Sequence, residues 1–285
     1  MKVCHAFTKK DKKKFKKFRM NLYKNDPFYV STVEFTCDML LYKTTTFAAS
    51  CNIKPVMIIE DEILCEALLI KAPKDDFVQI SFFEAIENAD EAVNLLIEEA
   101  KKFAISAGVK KIIIGLNGHL SYGVGLSVDM NKPNTFDSTY TKTYYNKYFE
   151  KYTKYDLVAF SNSISNMINT IPKKESNIVI RPINLKKFKE EIEEFRKVCN
   201  ETIGKTFLYA PTEKLHFEEL LEDMLFFLKP ENILMAYDDN ELVGFIFWHP
   251  DYNEVLKKGK YNSLLGIALR YTFFKNILRR LNLTQ

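Results

Sequence analysis

The sequence predicts an α/β (α+β) fold with a mixed, mostly antiparallel twisted sheet flanked by helices. Short apolar runs of strand length alternate with longer stretches at helical spacing, and the order strand, helix, helix, hairpin occurs twice along the 285 residues. A hydrophobic share of 47% can form a sizeable core, and the length suits two domains of about 100 to 150 residues each. We therefore expect one complete domain at 1–162, a linker at 163–176, and the first half of a second domain at 177–285.

The first half opens with a strand and two helices. Thr8 is a suitable N-cap for the first helix, and Asn25-Asp26-Pro27 ends that helix because the residue before a proline disfavours helical backbone. Three strands, a helix with one apolar face, a strand, a helix and a last strand follow. The predicted elements of this half are Val3–Phe7, Lys9–Tyr23, Thr32–Tyr42, Val56–Glu60, Ile63–Ile70, Phe77–Phe83, Asp90–Ala107, Lys111–Ile114, Tyr140–Lys151 and Leu157–Phe160.

The second half starts the same order again. A strand, two helices and two short strands are predicted, and Asp238-Asp239-Asn240-Glu241 is a turn sequence that joins antiparallel strands. A helical stretch comes last. The predicted elements are Ile178–Leu185, Lys186–Gly204, Thr212–Leu228, Ile233–Tyr237, Leu242–Trp248 and Leu264–Leu281.

Charge is mild and mixed along most of the chain. The net charge is +4, and basic residues are interleaved with acids everywhere except at Lys9–Lys17, which holds seven Lys and one Asp. This stretch is interpreted either as a solvated amphipathic helix or as an electrostatic contact with phosphate or acidic partners. The overall balance gives no indication of a nucleic-acid partner.

The five cysteines are scattered without CxxC spacing, and an odd number fits no closed disulfide framework. Reduced, buried thiols and a cytoplasmic location are the simplest expectation. The four histidines are isolated, so no metal site is expected. Met1–Phe18 has no apolar signal core and no apolar run approaches about 20 residues, so we expect neither secretion nor a membrane partner.

Several short motifs, taken in their order along the chain, resemble those of a known protein family. In the first half they are Leu22-Tyr23-Lys24-Asn25-Asp26-Pro27, Phe82-Phe83-Glu84, Gly115-Leu116-Asn117, Tyr122-Gly123, Val128-Asp129, Tyr144-Tyr145, Asp156-Leu157 and Ala159-Phe160. In the second half they are Arg196-Lys197-Val198-Cys199-Asn200-Glu201, Phe207, Pro211, Phe217-Glu218, Val243-Gly244-Phe245 and Pro250-Asp251-Tyr252-Asn253. The chain resembles a bacterial family of tandem GNAT-like proteins of the N-acetyltransferase superfamily.

The resemblance implies acetyl transfer from acetyl-CoA to an unknown amine in the intact protein. GNAT enzymes hold pantetheine and pyrophosphate where the fourth strand meets the next helix, on the backbone amides of a loop of form Arg/Gln-x-x-Gly-x-Gly/Ala. The corresponding turn here, Glu84–Asp90, has no glycine and three carboxylates. Anionic side chains repel a pyrophosphate, so we expect the first domain not to bind acetyl-CoA in the usual way.

By position in the resemblance, Glu84 is the candidate base and Tyr145 the candidate acid for the leaving thiolate. Alternatives from the residues alone remain open. Glu84 could be a surface charge at a strand end, and the tyrosines between Tyr140 and Tyr155 could be core packing with half-exposed rings.

Two further groups of residues are candidates for ligand or acceptor binding. The loop after Gly115 offers Asn117, Tyr122 and Gly123, although its glycine spacing is equally explained by a turn that needs positive φ. In the second half, Asn200, Glu218, Pro250 and Asn253 could shape an acceptor cleft, and helix capping or turn formation explains them as readily.

The second half is expected to lack the fourth strand and the phosphate loop of a GNAT domain, so that the chain is cut short and inactive alone. The strand Leu242–Trp248 would then be a hydrophobic edge that a homodimer or the first half covers. Two functions follow as hypotheses. One is an acetyltransferase whose active centre lies in the second domain, and the other is a non-catalytic ligand-binding or interaction module.

Overall fold

The computed structural model describes residues 1–30, 33–129, 133–136, 138–161, 163, 177–222, 224–225, 228–259, 262–274 and 281–284. In these ranges the fold is a mixed α+β arrangement with one sheet in each half of the chain. Apart from Ser163, the predicted linker 163–176 lies outside the described residues.

The first sheet has five strands in sequence order. They are β1 Lys2–His5, β2 Asn52–Ile59, β3 Ile63–Lys71, β4 Phe77–Ala85 and β5 Lys111–Ile114. Neighbours from β1 to β4 pair antiparallel, whereas β5 lies parallel to β4. The parallel step requires a crossover connection, which the long helix between these two strands provides.

Five helices cover the two faces of the first sheet. They are α1 Lys9–Tyr23, α2 Val33–Tyr42, α3 Thr46–Ser50, α4 Asp90–Ser106 and α5 Tyr145–Tyr148. One core cluster joins the sheet to α4 and α5, and the other joins the opposite face to α1, α2 and α3. The side chain of Thr8 caps α1 by accepting a hydrogen bond from the Asp11 amide at 3.1 Å, as the sequence predicts.

The second sheet has four antiparallel strands, and its order repeats that of β1 to β4. They are β6 Val179–Pro182, β7 Ile233–Asp238, β8 Glu241–Pro250 and β9 Leu281–Thr284. The helices α6 Phe188–Thr202 and α7 Lys214–Glu222 pack on this sheet, and α8 Leu264–Phe274 lies between β8 and β9 in the chain. Asp239 and Asn240 have positive φ at the β7–β8 turn, which confirms the predicted hairpin.

The predicted end of the first half is wrong in two places. Residues 140–151 contain one helical turn, at α5, instead of a long helix. Before it, residues 140–142 form no helix, and there the Thr141 amide donates to Ser127 Oγ and the Ser127 amide donates to Thr141 Oγ1. No strand forms at Leu157–Phe160, where the Phe160 side chain is 95% exposed, since a short apolar run without a paired neighbour has no reason to stay extended in a sheet.

The predicted absence of a fourth strand in the second half is also wrong. Helix α8 covers Leu264–Phe274 of the predicted helix Leu264–Leu281, and residues 275–280 lie outside the described residues. Leu281 belongs to strand β9 instead. Residues Phe247 to Pro250 of β8 pair with β9, so this part of the expected hydrophobic edge is covered within the chain. The remainder of β8, where Val243 and Ile246 are exposed, pairs with β7 alone among the described strands.

Contacts join the two halves at two places. At one, Tyr122 packs with the ring of His216 on α7, and the Thr46 amide of α3 donates to Glu219 at 2.9 Å. At the other, the Phe136 amide donates to Asp251 at 2.8 Å, and a small core of Val30, Leu228, Tyr252, Leu256 and Ile267 lies beneath.

Candidate functional site

Glu84 lies at the centre of a buried polar cluster under the end of β4. Its carboxylate is 1% exposed and lies 3.1 Å from the Arg19 guanidinium of α1. The hydroxyls of Tyr23 and Tyr145 both donate to its second oxygen, at 2.8 and 2.7 Å. The structure therefore brings the two candidate catalytic residues together, and Glu84 is not the surface charge that was one alternative.

The Tyr145 phenol is a donor in this cluster and not an ionised group. Burial, reinforced by the negative charge of Glu84, raises the pKa of Tyr145 well above its ordinary value. Tyr23 has a raised pKa for the same two causes, in the same order. Both phenols are therefore protonated at neutral pH and stabilise the carboxylate of Glu84 by charge-assisted hydrogen bonds.

Glu66 is a second buried carboxyl group that the sequence analysis missed. It stands opposite Glu84 in the register of β3 and β4, is fully buried, and has no hydrogen-bond partner among the described residues. Burial and then the charge of Glu84 raise the pKa of Glu66 well above its ordinary value. The signal in the sequence was a single acid within the apolar run Ile63–Ile70.

Beyond its pairing with β5, the backbone groups on this edge of β4 form hydrogen bonds with side chains, which close the edge to other partners. Pairing stops at Ile80 and Ile114, and β4 then bulges at Phe82, which has a φ of +49°. The amide of Phe82 donates to Asn117 Oδ1 at 2.8 Å. The amide of Ala85 donates to the Tyr145 hydroxyl at 3.1 Å, and its carbonyl accepts from the Tyr144 hydroxyl at 2.7 Å.

The turn between β4 and α4 is closed in the same way. The Tyr148 hydroxyl donates to the Ile86 carbonyl at 2.6 Å and accepts from the Ala89 amide at 3.0 Å. Glu87 and Asp90 are exposed around this turn, and the first turn of α4 carries Asp90 and Glu91. The α4 N-terminus thus presents acids where an anion would approach, which is unfavourable for a pyrophosphate.

Of the candidate ligand loop, the side chains of Asn117 and Tyr122 are buried. Asn117 is engaged with Phe82, and the Tyr122 hydroxyl lies 3.0 Å from His216 Nε2. Gly123 and Gly125 have φ values of +102° and +95°, which confirms the turn that needs positive φ.

That loop ends in an aromatic cluster between the two halves. The His216 ring stacks on Phe47 with centroids 4.4 Å apart, and His119 lies edge-on to His216 at 5.1 Å. Burial, together with the nearby His119, lowers the pKa of His216 to about 3. Burial also lowers the pKa of His119, whose Nε2 is 3.1 Å from the Ala210 carbonyl oxygen.

The candidate residues of the second half lie in two separate settings. Asn200 Oδ1 accepts from the Thr212 amide and the Tyr209 hydroxyl, both at 3.0 Å, and so fixes the segment before α7. Glu218 on α7 is buried, with the Lys189 amine 3.7 Å away.

Pro250 and Asn253 lie at the junction of the halves. Pro250 ends β8, and Asn253 Nδ2 donates to the Asn134 carbonyl at 3.0 Å. Asn253 therefore contacts the first half and not the surroundings of Asn200 and Glu218.

A polar cavity of about 500 Å³ lies elsewhere, against β6, β7 and α6. Arg181 lines it and is already paired with Glu191 at 2.9 Å. No group of three or more His, Cys, Asp or Glu in the described ranges could hold a metal ion. The five cysteines are free thiols, and burial raises the pKa of Cys51 and of Cys199 to about 12. No helix within the described residues has the length and apolar character to cross a membrane.

No protein-family model matches the sequence, and no curated protein matches it. The structure is similar to the crystal structure of FemX, at 14% sequence identity and a TM-score of 0.33, over 83% of this chain. The chain spans 57% of the length of FemX. The sheets and helices described above make this chain a mixed α+β protein.

Proposed function

We propose that this chain is a tandem GNAT-like protein in which the first domain is a non-catalytic scaffold and acetyl transfer from acetyl-CoA to an amine belongs to the second domain. The order of β1 to β5, the bulge in β4 and the parting of β4 from β5 support the GNAT-like assignment. The proposal makes this chain inactive toward acetyl-CoA by itself.

The observation that carries the proposal is the closed edge of β4. A cofactor arm bound where the fourth strand meets the next helix needs free backbone donors and acceptors there. In this chain Asn117, Tyr144, Tyr145 and Tyr148 take the backbone groups at and after the bulge. A ligand would have to displace these side chains and face the acids of the α4 N-terminus.

Glu84 and Tyr145 have structural roles in this proposal. A general base must reach the proton of its substrate, whereas the Glu84 carboxylate is buried between Arg19 and two phenols. The same contacts that remove it from solvent tie α1, β4 and α5 together.

Calorimetric titration of acetyl-CoA into the purified chain tests the proposal. We expect no saturable heat for the wild type. The proposal is refuted if the wild type binds saturably and Glu84→Ala or Tyr145→Phe weakens this binding. Tyr152→Phe, at an exposed ring, is the control and should leave the binding unchanged. Such a result would show a working cleft in the first domain.

The second candidate is a non-catalytic interaction module. The burial of Glu84 and Tyr145 favours it, because both candidate catalytic groups are closed off from a substrate. An assay of thiol release from acetyl-CoA with a panel of small amines tests both candidates: neither predicts release by this chain, and steady release would refute both.

A homodimer across the uncovered part of β8 is a further part of the proposal. Among the described strands this part of β8, with exposed Val243 and Ile246, pairs with β7 alone, so its other edge is suited to pairing with a second copy. Sedimentation velocity measures this directly: a dimer that Val243→Lys converts to a monomer supports the contact, and a wild-type monomer at high concentration contradicts it.

A further inference from the structure

Helix α1 has two faces of opposite character. Phe15, Arg19 and Tyr23 are buried against the first sheet. The opposite side carries a set of exposed lysines, which we call the basic face: Lys10, Lys13, Lys14, Lys17 and Lys24. At about 100° per residue these five side chains lie within an arc of about 100°, with Lys24 directly after the last helical residue.

The basic face is not neutralised by neighbours. None of its lysines forms an ion pair with a described residue, and the acid of the helix, Asp11, lies at the margin and bonds with Thr8. The stretch Lys9–Tyr23 holds seven Lys and one Arg against one Asp, whereas the whole chain has a net charge of +4. The rest of the chain is therefore net negative, and positive charge is concentrated on this helix.

The helix is held rigidly beneath this face. Lys12 Nζ donates to the Leu41 carbonyl at 2.7 Å, Lys16 pairs with Asp38 at 2.5 Å, and Arg19 pairs with Glu84 at 3.1 Å. These contacts fix the rotation of α1 about its axis. The lysines of the basic face are therefore presented together, without an ordering cost for the backbone.

We propose that the basic face docks this protein on an anionic lipid surface. A straight row of lysines about 20 Å long suits a flat array of headgroups, to which each lysine contributes electrostatic attraction. Exposed Phe7 precedes the helix and exposed Met20 borders the lysines, and apolar side chains beside a basic face are typical of helices that bind a membrane surface.

Two features favour lipid over nucleic acid as the partner. Nucleic-acid surfaces rely on arginine forks and on aromatic rings for stacking. The arginine of α1 is buried on Glu84, and no exposed aromatic ring lies among the lysines of the basic face. The sequence-based expectation of no membrane partner concerned spanning and secretion, which this peripheral contact does not require.

Co-sedimentation of the full chain with vesicles tests the proposal. We expect binding to phosphatidylcholine vesicles that contain phosphatidylserine and none to phosphatidylcholine alone. Loss of each lysine near an anionic surface is worth about a fivefold change in binding, so Lys10→Glu, Lys14→Glu and Lys17→Glu together lower binding at least about a hundredfold. Raised salt weakens the wild-type binding in the same way.

The matched control changes the same charge elsewhere, at exposed Lys110, Lys154 and Lys205, each to Glu. We expect this variant to keep most of its binding, and circular dichroism checks that both variants fold. The proposal is overturned if the wild-type protein does not bind anionic vesicles, or if both variants lose the same amount of vesicle binding. Wild-type binding to a single-stranded oligonucleotide without binding to vesicles also overturns it, in favour of a nucleic-acid partner.

Discussion

Glu84 and Glu66 face each other across β4 and β3, and they are stabilised in different ways. Glu84 has an ion pair and two phenol donors, so its charge is compensated inside the protein. Glu66 has no such partner among the described residues, and burial, followed by the negative charge of Glu84, raises the pKa of Glu66 well above its ordinary value. Glu84 is therefore charged, whereas Glu66 opposite it is protonated.

Tyr145→Phe should destabilise the protein by about 2 kcal/mol, since a buried hydroxyl that donates to a carboxylate and accepts from the Ala85 amide is lost. Urea denaturation measures the free energy of unfolding. Tyr152→Phe, at an exposed ring, is the control and should change it by less than about 0.5 kcal/mol. Equal effects of the two changes would contradict the buried cluster.

Glu66→Gln should make stability less dependent on pH. The folded-state pKa of Glu66 is raised, so the folded chain keeps a proton that the unfolded chain releases, and the wild type loses stability as pH rises from the ordinary value of 4.5 toward the raised pKa. Gln cannot ionise, so the variant should be more stable than the wild type at pH 8 and similar to it at pH 4. Thermal unfolding across this range measures both, and a variant less stable at pH 8 would refute the neutral state of Glu66.

Among the helices and strands, the sequence predicts the elements whose start, end or turn is set by residues close in the chain. Helix α1 has its Thr8 cap and its lysine pattern, and the β7–β8 turn has Asp239-Asn240. The sequence-based predictions are wrong where residues distant in the chain determine the local structure. Residues 140–142 are not helical, and the amide of Thr141 donates to the side chain of Ser127 instead; β9 exists because β8 offers it an edge. The candidate site follows the same rule: Glu84 and Tyr145 came from the resemblance, whereas the position of Glu66 opposite Glu84 is visible only in the register of β3 and β4.

The bulge in β4 depends on Asn117. Asn117→Ala should cost about 2 kcal/mol of stability, because the buried amide of Phe82 loses its acceptor at the point where β4 leaves β5. Chemical denaturation of this variant is compared with Asn94→Ala, an exposed position on α4 where the change should be within about 0.5 kcal/mol. A loss of the same size at both positions would show that the bulge does not need this side chain.

At the scale of the whole molecule, the two halves meet through neutral histidines. The pKa of His216 is lowered to about 3 from the ordinary 6.5, so the unfolded chain binds protons that the folded chain excludes, and stability falls as pH drops from about 6.5 toward 3. His216→Gln keeps an acceptor for Tyr122 but does not titrate. Thermal unfolding at pH 5 and pH 7.5 should show a smaller difference for this variant than for the wild type, and an unchanged difference would contradict the neutral junction.

Tyrosines of the protein occupy the backbone groups of β4 and of the turn that follows it. Amide hydrogen exchange at Ala85 and Ala89, measured by NMR with and without acetyl-CoA, tests this most directly, with the exposed amides of Glu87 and Asn88 as the internal reference. We predict slow exchange at Ala85 and Ala89 that acetyl-CoA leaves unchanged. Exchange as fast as at the reference amides, or a marked slowing when acetyl-CoA is added, would show that the edge is open and would contradict the account.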